Sequence, residues 1–236
     1  MPLVQLQGIS KSYTMGEVEI PALRDITLDI DKGNLVTFVG PSGSGKTTLL
    51  NIIGCMDKPT TGASYVDSTR TDTLNRKQAA QFRGEHLGFI FQSFNLIPVL
   101  SVFENVEYPL IMIKKQSVAA RKEQVMRLLD AVGMTDQADK RPDQISGGQK
   151  QRVAVARALV TNPRMVLADE PTANLDKQTA LNILKLMQDM RNEYGTTFIF
   201  STHDPRIVEH ADVIHGIEDG RLVDHTAFLE GGASNG

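Results

Sequence analysis

Apolar and polar residues alternate over the first thirty positions, as in Leu3-Val4-Gln5-Leu6-Gln7 and Ile26-Thr27-Leu28-Asp29-Ile30. That period of two predicts antiparallel strands across residues 3–30 with one face in water. Asp31-Lys32-Gly33-Asn34 reads as a turn. Leu35-Val36-Thr37-Phe38-Val39 reads as a short buried strand, and Thr48-Leu49-Leu50-Asn51-Ile52-Ile53 as a helix. Residues 57–90 are polar and turn-rich and end in a second apolar run, Leu87-Gly88-Phe89-Ile90-Phe91. From about 101 to 160 the period is helical. Ser101-Val102-Phe103-Glu104 fits a capping box. Val118, Val125, Leu128, Leu129 and Val132 share one helical face, with Gly133 as the C-terminal stop. Ser146-Gly147-Gly148-Gln149 fits a second capping box and opens a helix to about Leu159, which Asn162-Pro163 ends.

Alternation of strands and helices then returns. Met165-Val166-Leu167-Ala168 reads as a buried strand. Lys177–Tyr194 reads as a helix with Ala180, Ile183, Leu184, Met187 and Met190 inward and Gly195 closing it. Thr197-Phe198-Ile199-Phe200 is another strand, and Asp204-Pro205 makes a good N-cap and first position for a short helix. Val213–Ile217 and Arg221–Val223, joined through Asp219-Gly220, read as a hairpin. Residues 231–236 read as a flexible tail. The pattern predicts an α/β core on a mostly parallel sheet, with β structure in front and a helical insertion, and a ligand at the C-terminal ends of the strands.

A chain of 236 residues suits one large α/β domain or a core with a smaller subdomain. Its 41% hydrophobic and 22% charged content is that of a protein able to bury a core. A net charge of −3 argues against a dedicated nucleic-acid binder. Cys55 is the only cysteine, so no intramolecular disulfide forms and a reducing, cytosolic setting is expected. No signal peptide is visible at Met1–Gln5. The longest apolar candidate, Asn95 to Met112, is broken by Pro98, Glu104, Glu107 and Pro109, so a membrane role is expected to come through a partner.

Gly40-Pro41-Ser42-Gly43-Ser44-Gly45-Lys46-Thr47 fits G-x-x-x-x-G-K-[ST] between a strand and a helix. The glycines let successive N–H groups turn inward around phosphate oxygens, at a helix N-terminus of partial positive charge. Lys46 reaches the β- and γ-phosphates and the Thr47 hydroxyl ligates Mg²⁺. Asp169 and Glu170 follow the strand 165–168 as two carboxylates. Asp169 suits Mg²⁺ through water, and Glu170 suits a base that orients or deprotonates the water attacking the γ-phosphate. Ser146-Gly147-Gly148 is a second glycine-bearing helix start with a free hydroxyl, which suits an anion, although a capped helix start needs nothing more.

Ile145-Ser146-Gly147-Gly148-Gln149 resembles the signature motif of ATP-binding cassette (ABC) ATPases, with Ile145 in place of the usual Leu. The other motifs of that family follow in order. Gln92 resembles the Q-loop glutamine, which implies contact with Mg²⁺ and the attacking water. Ala173-Asn174-Leu175-Asp176 resembles the D-loop. Thr202-His203-Asp204 resembles the H-loop, which implies that His203 senses the γ-phosphate. Tyr13 stands where the family has an aromatic on the adenine, and Thr48 follows the phosphate loop in the nucleotide site.

The resemblance covers about residues 3–224 and implies one domain over 1–230. Within it a β subdomain and RecA-like P-loop NTPase core take about residues 3–92 and 161–224, and a helical subdomain takes 93–160. It also implies a head-to-tail homodimer. Each ATP would lie between the phosphate loop of one subunit and Ser146, Gly147, Gly148 and Gln149 of the other. A separate transmembrane permease would dock near Phe94–Leu100, whose apolar residues equally suit a core. The stretch from Leu87 through Val106 is similar to the branch of lipoprotein-release, macrolide-export and cell-division cassettes. The expected setting is the cytoplasmic face of a bacterial inner membrane. The expected role is ATP-driven export or lipid extraction, or alternatively regulatory mechanotransmission to a membrane partner without transport.

Overall fold

Val4–Met15 (β1) and Val18–Ile30 (β2) form a long antiparallel pair. Alternation along them buries Val4, Leu6, Ile9, Leu23, Ile26, Leu28 and Ile30. In the computed structural model, which describes residues 1–113, 116–203 and 208–224, the chain divides into two compact units. One is Met1–Ala80 with Thr197 onward; the other is Gln81–Thr196. The expected helix start at Asp204-Pro205 and the tail 231–236 lie outside the described residues.

In the first unit, Thr61–Val66 (β4) and Thr69–Arg70 (β5) extend the antiparallel sheet in the order β2-β1-β4-β5. Leu35–Val39 (β3) lies between Thr197–Thr202 (β8) and Val213–Glu218 (β9), parallel to both. All five residues of β3 and all six of β8 are buried, as central parallel strands require. Arg221–Val223 (β10) closes the expected hairpin with β9. Lys46–Ile53 (α1) follows β3 and begins at the lysine, two residues before the expected Thr48.

In the second unit, Leu87–Phe91 (β6) and Met165–Asp169 (β7) are parallel neighbours. Around them lie Val102–Ile113 (α3), Val118–Ala131 (α4), Gly147–Leu159 (α5) and Lys177–Tyr194 (α6). α5 touches α3, α4, α6 and β6. It therefore buries Gln151, Val153, Ala154, Val155, Ala156, Ala158 and Leu159 rather than one stripe. α5 lies tight against Gly88 of β6, where a Cβ would stand 2.3 Å from the Ala158 carbonyl oxygen.

Two expectations change. Residues 57–90 are not mainly turns: they hold β4, β5 and the helix Arg76–His86 (α2). α2 was hidden because only Ala79 and Phe82 of its eleven residues are buried apolar side chains, too few to set a period. Val118 is 68% exposed, because it begins α4 and projects beyond the packed face that Val125, Leu128 and Leu129 form. Gly133 does follow the helix end with φ +68°. Among the described residues no helix is long and apolar enough to cross a membrane.

Candidate functional site

β3 ends at Val39 and delivers the chain into the loop Gly40–Gly45. Gly40 is irreplaceable on steric grounds, because a Cβ there would stand 2.0 Å from the Ile217 carbonyl oxygen. Gly43 and Gly45 have φ of +80° and +108°, values that side-chain-bearing residues avoid. Gly45 is the N-cap of α1 and offers it no side-chain hydrogen bond. The first N–H groups of α1 thus lack a capping side chain, the condition in which a helix N-terminus takes an anion. The Ser44 hydroxyl is buried in the same loop with no hydrogen-bond partner, while its carbonyl accepts from Gly220 N at 3.0 Å.

Lys46, only 6% exposed, folds back over the loop. Its Nζ donates to the carbonyls of Gly40 at 2.7 Å and Pro41 at 2.9 Å. These bonds hold a buried ammonium at the loop that precedes the uncapped helix start. Thr47 and Thr48 stand in the first turn of α1 beside it. These features fit a polyphosphate.

Tyr13 lies on β1 in the same unit and is 40% exposed. Its hydroxyl donates to Asp57 Oδ2 at 2.9 Å, and Lys11 Nζ lies 4.8 Å from its ring centroid. Partial burial raises the Tyr13 hydroxyl pKa, a hydrogen bond with Thr48 opposes that, and Asp57 adds to it. Burial alone would raise the Asp57 carboxyl, but hydrogen bonds from Lys11, Lys58 N and Tyr13 outweigh it and hold it below the ordinary value. His203 also belongs to this unit, exposed just after β8.

The second unit carries the rest. Asp169 ends β7, and Glu170 follows with φ +48°, a left-handed conformation uncommon for a residue with a side chain. Both carboxylates are half-buried and make interactions of their own. Gln92 is exposed after β6, and its carbonyl accepts from Asn174 Nδ2 at 3.0 Å, which joins the segment after β6 to the one after β7. No group of three His, Cys, Asp or Glu side chains able to hold a metal occurs among the described residues. Mg²⁺ on phosphates keeps waters and takes few protein ligands, so it needs no such cage; the Thr47 hydroxyl in the first unit and the Asp169 carboxylate in the second are each a donor of the type it takes.

Ser146 caps α5. Its Oγ accepts from Gln149 N at 3.3 Å, and Gln149 Oε1 accepts from Ser146 N at 2.9 Å. The expected free hydroxyl is therefore already an acceptor within the helix cap, and the Gln149 side chain is committed to the same box. Asp176 caps α6 likewise, accepting from Thr179 N at 3.0 Å. That hydrogen bond, with others at the helix start, holds its carboxyl below the ordinary value. Ser146–Gln149 and Asn174–Asp176 line one cavity of about 410 Å³. A Cβ on Gly148 would stand 2.6 Å from Thr179 Cγ2, so the two helix starts approach as closely as glycine allows.

A sequence model described as ABC transporter matches residues 23–173. The chain belongs to the ABC transporter family. It is 43% identical over 224 residues to the ABC transporter ATP-binding protein MJ0796 of Methanocaldococcus jannaschii, across 93% of this chain and 95% of that protein. Identity to the lipoprotein-releasing system ATP-binding protein LolD of Francisella tularensis is 42%, across 93% and 95%. Against the macrolide export ATP-binding/permease protein MacB of Syntrophobacter fumaroxidans it is 44%, across 93% of this chain but 31% of that longer protein. Among solved structures, a dimeric post-hydrolysis state of MJ0796 bound to ADP and Pi matches with a TM-score of 0.86 at 42% identity, over 94% of this chain and 97% of that one. The expected ABC ATPase fold, with its antiparallel β subdomain, is borne out.

Three features of this ABC cassette were not singled out from its sequence. Lys11 and Asp57 surround Tyr13, joined across 46 positions by pairing of distant strands. Arg157 donates to the carbonyls of Phe94 at 2.7 Å and Asn95 at 2.6 Å, residues held at φ +62° and +48°. Gln151 donates to the Pro171 carbonyl from inside α5. In the sequence Gln151 stands within the polar run Gln149–Arg152, so only its spacing of three, four and seven residues from Ala154, Val155 and Ala158 could have marked it as inward.

Proposed function

We propose that this protein is the ATP-hydrolysing subunit of a membrane transporter: it dimerises on ATP and drives a separate permease of the export or lipid-extraction type. The observation that carries this reading is the uncapped start of α1, beside the buried Lys46 ammonium and the unpartnered Ser44 hydroxyl. The likeness to a dimeric cassette bound to ADP and Pi, and to LolD and MacB, supports it.

The first N–H groups of α1 and Lys46 bind the phosphates of ATP. Thr47, Asp169 (through water) and Gln92 would hold Mg²⁺, and the ion would supply charge neutralisation on the β- and γ-phosphates. Glu170 accepts a proton from the attacking water, and His203 contacts the γ-phosphate. Tyr13 packs on the adenine, with the Lys11 ammonium on its ring. Gly40, Pro41, Ser42, Gly43, Ser44, Gly45 and Thr48 complete the cradle. Ser146, Gly147, Gly148 and Gln149 offer a second subunit's γ-phosphate the N-terminus of α5. Loss of that phosphate loosens the dimer. Docking of the permease at Phe94–Leu100 fits the 73% exposure of Val99. The protein would then lie against the cytoplasmic side of the membrane through its partner.

ATP turnover and oligomeric state of wild type and Glu170→Gln, with Mg²⁺, test this. Wild type should hydrolyse ATP, and the variant should lose about 10²–10⁴ in rate and remain a dimer in ATP. A variant as fast as wild type removes Glu170 from its role.

A further inference from the structure

We propose that Gln151 is a positioning residue: it holds the turn that carries Glu170 and ties that base to the helix whose first residues receive the other subunit's nucleotide. The inference rests on the function proposed above and names a further residue for the same reaction.

Gln151 is fully buried. Its Nε2 donates to the Pro171 carbonyl at 2.6 Å. Because the partner is a carbonyl, only the amide nitrogen can face it, which fixes the amide orientation. The other end of the amide, Oε1, is buried with no hydrogen-bond partner. An unpaired buried acceptor is destabilising, and an apolar side chain of the same shape would avoid it. Packing alone would not keep a glutamine here; the donor to Pro171 is what the side chain contributes.

What it holds is the turn Glu170–Ala173. Ala173 N donates to the Glu170 carbonyl at 3.2 Å, and Leu175 N donates to the Thr172 carbonyl at 3.1 Å. The Pro171 carbonyl lies between those two, and Pro171 has no N–H to give. Glu170 itself is at φ +48°, a conformation that persists only where its surroundings over-determine it. Gln151 supplies one of those restraints, from the residue directly after the base.

The same helix begins at the capped Ser146. Gln151 lies five residues on, about 7.5 Å along a rigid α-helix. A small displacement of Ser146–Gln149 on meeting a nucleotide therefore moves the amide that holds Pro171. The signature of one nucleotide site is linked to the base of the other through one helix and one hydrogen bond.

Gln151→Met keeps the volume, removes the donor and also removes the orphaned acceptor. In the full chain it should melt at or above the wild-type temperature and bind a fluorescent ADP with affinity within about twofold of wild type. Its kcat for ATP should fall by at least about tenfold with KM nearly unchanged. Gln151→Glu carries, when protonated, an O–H able to donate to the Pro171 carbonyl. Its kcat relative to wild type should therefore rise between about pH 8 and about pH 6, where a buried carboxyl takes up its proton.

A Gln151→Met enzyme with wild-type kcat overturns the proposal. So does one that loses activity only together with melting temperature and ADP affinity, and so does a flat relative profile for Gln151→Glu. The same assays on wild type and Glu170→Gln separate the two levels. If wild type does not turn over ATP, or Glu170→Gln matches it, the reading of the whole site fails. If those controls behave and Gln151→Met is unimpaired, this inference alone fails.

Discussion

Glu170, the proposed base, carries its carboxylate on a backbone at φ +48°. A Cβ in that region costs about 1–2 kcal/mol, and glycine avoids the cost. Comparing Glu170→Gly with Glu170→Ala isolates the backbone, because both lose the carboxylate. The glycine variant should be the more stable by about 1 kcal/mol, or about 2–4 °C in melting temperature for a chain of this size. Equal melting temperatures would mean that the turn relaxes and stores no strain. Gly40 is the opposite case, a position where the Ile217 carbonyl leaves room for no side chain. Both were legible as motif positions, since phosphate chemistry demands those residue types at that spacing. The φ of Glu170 was not, because nothing in an acidic pair after a strand prescribes how the chain turns next.

The capping boxes at Ser101 and Ser146 were read from local sequence, and for a physical reason. A capping box is closed by atoms three residues apart, so Ser101 with Glu104 and Ser146 with Gln149 need no tertiary context. α2 and the exposure of Val118 at the start of α4 were not legible, because burial there depends on what the rest of the fold lays against them, whereas Val125, Leu128, Leu129 and Val132 are buried as their spacing predicts. Asn105 belongs to this second kind. It is buried on α3, accepts from Ile97 N at 2.7 Å and donates to the carbonyls of Ile97, Leu100 and Ser101. It thereby clamps residues 97–101 to the helix. Asn105→Ala leaves those groups short of partners and should destabilise by about 1–3 kcal/mol in urea unfolding. Limited proteolysis should then cut first within 97–101. A variant with unchanged unfolding and no new cut there would show that water replaces the clamp.

For the assembled protein the decisive close approach is Gly148 against Thr179, where a Cβ would stand 2.6 Å from the methyl. Gly148→Ala pushes the starts of α5 and α6 apart without touching the phosphate loop, which is built from other residues. In the Glu170→Gln background it should abolish the ATP-dependent dimer while the monomer still binds nucleotide as before. Size-exclusion chromatography with ATP, beside equilibrium nucleotide binding, measures both. A persisting dimer would show that the signature helix tolerates the shift.

By itself the sequence determined the order of strands and helices outside residues 57–90, and the local patterns at Gly40–Thr47, Asp169-Glu170 and Ser146–Gln149. Each depends on residues near one another in the chain: a hydrophobic period, a glycine at a tight turn, a cap three residues from its partner. Only the tertiary structure decided which side chains support these groups. Lys11 reaches Asp57 beside Tyr13 through paired strands, Arg157 holds the Phe94–Asn95 turn, and Gln151 meets Pro171 twenty residues on. Those partners are set by packing between distant segments, where shape and burial choose the neighbour and local pattern does not.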